Sequence, residues 1–72
     1  DDIAIAMVSF GNRFVDERGI IPTAMELAGY MLDTGGKELQ MTYDKRGKDY
    51  IFGGKPLSDR QFKYRYGKYL KA

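Results

Sequence analysis

Between Glu38 and Phe52 the spacing of apolar residues changes, and that change decides what the rest of the chain can build. Near the start, Ile3, Met7, Phe10 and Phe14 recur at the three- and four-residue intervals of one helix stripe, which predicts a helix from about Asp2 to Asp16. From Glu38 onward, Leu39, Met41 and Tyr43 alternate with Gln40, Thr42 and Asp44, the two-residue period of a strand. Lys45-Arg46-Gly47-Lys48 supplies a turn, and Asp49-Tyr50-Ile51-Phe52 returns. If the loop is Arg46-Gly47 or residues 45–48, Asp44 faces Asp49, Tyr43 faces Tyr50 and Met41 faces Phe52, so one face is wholly apolar. A three-residue loop would mix Tyr43 with Asp49 and is rejected. The same letters can also be written on a helix from Lys37 to Arg46, and contact between Met41 and Phe52 decides between the two.

The remaining boundaries follow from capping chemistry. Asp16-Glu17-Arg18-Gly19 ends helix one, since glycine takes the left-handed conformation without steric cost. Thr23 and Glu26 form a capping box that opens helix two, which is expected to run to about Asp33 and to stop at Gly35-Gly36. Gly53-Gly54-Lys55-Pro56 is expected to break the returning strand. A second capping box, Ser58 with Gln61, opens helix three, with Leu57 and Phe62 placed as a hydrophobic staple. The chain is therefore predicted to be one α+β domain over residues 1–72, in the order helix-helix-β-hairpin-helix, with a layer of helices against a small sheet. The expected core is Met7, Phe10, Phe14, Leu27, Met31, Met41, Tyr43, Phe52, Phe62, Tyr66 and Leu70. A start on Asp1 instead of Met suggests a domain excised from a longer protein or a processed product.

Composition narrows the function. The 72 residues contain no His and no Cys, so neither a histidine base nor a thiolate nucleophile is available, and an enzyme is not expected. The carboxylates lack calcium-loop spacing, and no metal or cofactor is expected. Both glycine pairs precede a lysine, but neither has the form of a phosphate-binding loop, and they read as terminators. Ile3 to Phe10 is far short of the ~20 residues needed to span a bilayer, so no membrane partner is expected. The absence of cysteine fits an intracellular, reducing location.

Charge is divided along the chain. Residues 1–36 carry six carboxylates against Arg13 and Arg18, a balance of −4, whereas residues 37–72 carry ten Lys or Arg against four carboxylates, a balance of +6. Five of the six tyrosines fall in this second half. Basic and aromatic side chains on one surface suit phosphates and bases. On helix three, Arg60, Lys63, Tyr64, Lys68 and Lys71 fall on the side opposite Phe62 and Leu70, with Gln61 in the first turn. Arg60 and Gln61 are side chains able to make bidentate contacts with base edges. Lys45, Arg46 and Lys48 form a second basic point at the hairpin tip. These nine residues are the candidate nucleic-acid-binding set, with DNA ahead of RNA. The competing class is a protein-interaction module, such as a small phage or mobile-element factor or a domain of a larger assembly. It would use Ile5, Val8 and Val15, the apolar residues on the far side of helix one, to meet a homodimer or another partner.

The segment from Glu17 to Leu32, E-R-G-I-I-P-T-A-M-E-L-A-G-Y-M-L, resembles the start of helix-turn-helix and winged-helix DNA-binding domains, as in the repressor of the bacterial SOS response. The positions that match are Glu17, Gly19, Pro22, Thr23, Glu26, Leu27, Ala28 and Leu32, within a stretch of 16 residues. The resemblance implies DNA binding in transcription, or an accessory role in replication or recombination. In this chain the helix suited to reading DNA begins at Ser58, so a hairpin stands between the two helices of the motif.

Overall fold

A computed structural model describes residues 1–70 of the chain. Its elements are α1 (Asp2–Arg18), α2 (Ala24–Leu39), β1 (Met41–Asp44), β2 (Asp49–Phe52), β3 (Lys55–Ser58) and α3 (Asp59–Tyr69). The fold is α+β, with three helices and a three-stranded antiparallel sheet in the order β1-β2-β3.

The start of α1 is capped by Asp1, whose carboxylate accepts a 2.9 Å hydrogen bond from the Ala4 N–H. Its end is the expected left-handed glycine, Gly19 at φ 72°, whose N–H donates to the Val15 carbonyl at 2.7 Å. The capping box of α2 is also present: Thr23 Oγ1 accepts from the Glu26 N–H at 3.1 Å, and Glu26 Oε1 accepts from the Thr23 N–H at 2.9 Å.

The expected stop at Gly35-Gly36 is wrong, because α2 runs through both glycines to Leu39. Gly35 is needed for packing. A Cβ there would stand 2.4 Å from Phe10 Cζ, so only glycine lets α1 press this ring against α2. The helix ends instead at Gln40, in the left-handed region at φ 52°. The helical alternative for residues 37–46 thus holds through Leu39, and strand geometry begins at Met41.

Across the hairpin the register is the expected one, with Met41, Tyr43 and Asp44 opposite Phe52, Tyr50 and Asp49. The chain does not leave the sheet after Gly53-Gly54. These two glycines, at φ 56° and 89°, turn it into β3, where Leu57 pairs with Tyr50 and Ser58 with Asp49. Proline in Lys55-Pro56 argues against a strand, yet an outer strand tolerates it because no neighbour needs its N–H on that side.

Eight of the expected core residues are buried: Met7, Phe10, Phe14, Leu27, Met31, Met41, Phe52 and Phe62. Tyr66 and Leu70 are half-buried, the Tyr66 hydroxyl donating to the Pro22 carbonyl. Tyr43 is 38% exposed, because β1 is an outer strand. Its cross-strand neighbour Tyr50 is the buried member of the pair. Tyr30 also lies in the core, edge-on to Phe14 and Phe10, with its hydroxyl donating to Glu17. That bond is the main reason the Tyr30 pKa is raised.

Candidate nucleic-acid interface

The α3 helix is positioned by its cap and by one buried ring. Ser58 Oγ accepts from the Gln61 N–H at 3.1 Å, and Gln61 Oε1 accepts from the Ser58 N–H at 2.9 Å. Phe62 anchors the inner side, 1% exposed and 5.2 Å from the Tyr50 ring. With that side fixed, Arg60, Gln61, Lys63, Tyr64 and Lys68 are exposed. Lys71 lies outside the described residues. Capping changes what Gln61 can do: its carbonyl oxygen is committed to the helix start, and its NH₂ alone is left for a ligand. Arg65, which the basic set omitted, is a half-buried residue within α3 and forms a 2.9 Å ion pair with Asp1.

At the hairpin tip Lys45, Arg46 and Lys48 are exposed. Beneath the turn, Asp44 and Asp49 face each other. A Cβ on Gly47 would lie 3.1 Å from Asp44 Oδ2 and 3.0 Å from Asp49 Oδ2. Among the described residues no cation pairs with either carboxylate, and the Arg46 N–H donates to Asp44 Oδ1 instead, at 3.1 Å.

Pairing of β2 with β3 sets Asp49 opposite Ser58. The base of the hairpin and the start of α3 therefore lie at the same end of the sheet. Carboxylates share this end. Asp59, in the first turn of α3, keeps Oδ1 without a hydrogen-bond partner and stands beside Tyr50, whose pKa is pushed up to about 12, first by burial and then by that carboxylate. Burial also raises the Tyr43 pKa, followed by Asp59, Asp49 and Asp44. Asp44, Asp49 and Asp59 are half-buried, whereas the surrounding cations are exposed.

Along α3 runs a groove of about 430 Å³. Leu57, Tyr64 and Tyr69 give it apolar surface, and Arg60, Lys68 and Arg65 give it charge. This concavity was not legible in the sequence, since Leu57 reaches it only through β3.

The alternative surface is also present. Ile5, Val8 and Val15 on α1 are exposed, as are Ile20, Ile21 and Met25 around the α1–α2 corner, which the sequence reading did not single out. Among the described residues no group of three or more potential metal ligands comes together, and no helix is long and apolar enough to cross a membrane. Compared with protein-family models, curated proteins and solved structures, the chain matches none.

Proposed function

We propose that this domain binds DNA through the outer face of α3 and the hairpin tip, in transcription or as an accessory to replication or recombination. The observation that supports the reading is the Asp49–Ser58 pairing, which sets the base of the hairpin that carries Lys45, Arg46 and Lys48 beside the start of the helix that carries Arg60 and Lys63. The hairpin cations serve phosphates, and α3 presents side chains able to meet base edges. The amides of its first turn add positive potential. The resemblance of residues 17–32 to helix-turn-helix domains supports the same reading.

The test is charge reversal at matched number. Arg60→Glu/Lys63→Glu should weaken binding to a labelled duplex and cost about 1–3 kcal/mol of its preference between sequences. A control reversed at Lys37 and Lys55 should change both much less. Equal losses would mean diffuse attraction and overturn the assignment. A protein-interaction role is favoured by the exposed Ile20, Ile21 and Met25, and would appear as concentration-dependent sedimentation lost on their replacement by Ser.

A further inference from the structure

We propose that the groove along α3 receives one unpaired nucleobase, so that the domain prefers DNA in which a duplex adjoins an unpaired nucleotide. This rests on the DNA-binding reading and specifies its substrate. Tyr64 is 71% exposed, on the solvent side of the helix, with Arg60 one turn before it and Lys68 one turn after. Charge complementarity sets the occupant: an aromatic face held between two cations fits a base whose flanking phosphates lie on either side.

Stacked duplex bases expose edges and keep their faces covered, so a tyrosine face is of use to a base that has left the stack. The two groove tyrosines are not equivalent. Lys68 Nζ lies 5.6 Å from the centre of the Tyr69 ring, which occupies that ring, whereas no cation stands over Tyr64 among the described residues. Leu57 gives the groove an apolar wall. The Gln61 NH₂, held in place by the capping bond of its own carbonyl, is a donor for a base carbonyl. Arg65 is tied to Asp1 and shapes the groove more than it charges it. At about 430 Å³ the groove falls within the roughly 300–1,000 Å³ of small-molecule clefts.

The experiment measures, by fluorescence anisotropy, the affinity of the full chain for a blunt, fully paired two-stranded duplex and for the same duplex with a single unpaired thymidine. The bulged DNA should bind at least about fivefold tighter, the fold-change expected from one base–aromatic stack. Tyr64→Ala should bring the ratio close to one, and Tyr64→Phe, which keeps the ring, should retain it. Lys48→Gln should weaken both DNAs alike. Thermal unfolding of each variant checks that the fold is intact. A wild-type ratio near one, or a Tyr64→Ala variant that keeps the preference, overturns the base site while leaving duplex binding standing. Failure of the folded wild type to bind either DNA overturns both.

Discussion

Gly35-Gly36 and Gly53-Gly54 are both followed by lysine, yet the first pair lies inside α2 and the second turns the chain from β2 into β3. At Gly35 the missing side chain makes room for the Phe10 ring, and the backbone stays helical. At Gly53 and Gly54 the backbone itself is unusual, with positive φ at both. One pair serves tertiary packing and the other local geometry, which is why the dipeptide alone does not reveal its role.

Substitution to alanine separates the two roles. The largest effect is expected from Gly35→Ala, since a Cβ 2.4 Å from Phe10 Cζ forces the ring or the helix to move. Overpacking of this kind costs about 1–3 kcal/mol, a large share of a small domain's stability, measurable by urea unfolding. A second change, Phe10→Leu, should recover part of the loss, which a purely local glycine effect would not permit. Gly54→Ala comes next, at about 1–2 kcal/mol, from the left-handed backbone alone. Nothing lies within 4 Å of the added carbon, so no partner substitution should rescue it. Gly36→Ala should have the opposite sign, raising stability by up to about 1 kcal/mol through helix propensity, because its Cβ would make ordinary contact with the Met41 carbonyl oxygen at 3.4 Å.

The smallest effect at neutral pH belongs to Tyr50, the buried ring of the sheet half. Its pKa is raised to about 12 in the folded chain against an unfolded value of 10.0. Between those values the folded state holds the phenolic proton more tightly than the unfolded state does. The resulting stability is complete below pH 10 and is lost as pH rises toward 12. Thermal midpoints should therefore fall across that window, and Tyr50→Phe should flatten the fall. Tyr30 and Tyr43, also raised, act in the same direction.

These contrasts also explain how far the sequence could be read. Both capping boxes and the hairpin register were legible because each depends on residues close together in the chain. The end of α2 was not, since the use of Gly35 depends on Phe10 in another helix. Nor was β3, where Pro56 masks a strand whose pairing partner is the only sign of it. The candidate site shows the same limit. Exposure of the α3 cations and of Tyr64 followed from a helical period, whereas the placing of the hairpin base beside the start of α3, and the groove that includes Leu57, both depend on β3. Commitment of Gln61 to its cap was readable from Ser58-x-x-Gln61, but its restriction of base readout emerges only when the bond is in place.

Pro56 carries one more consequence, for the company the sheet can keep. A sheet with free outer edges invites another strand to add to it, and from there aggregation. On β3 that invitation lacks a rung, since proline has no N–H to offer an incoming chain, and exposed Lys55 adds a charge that a growing sheet would have to bury. The residue that hides β3 from a reader of the sequence also shields it from other strands, and so helps a three-stranded sheet to remain at three.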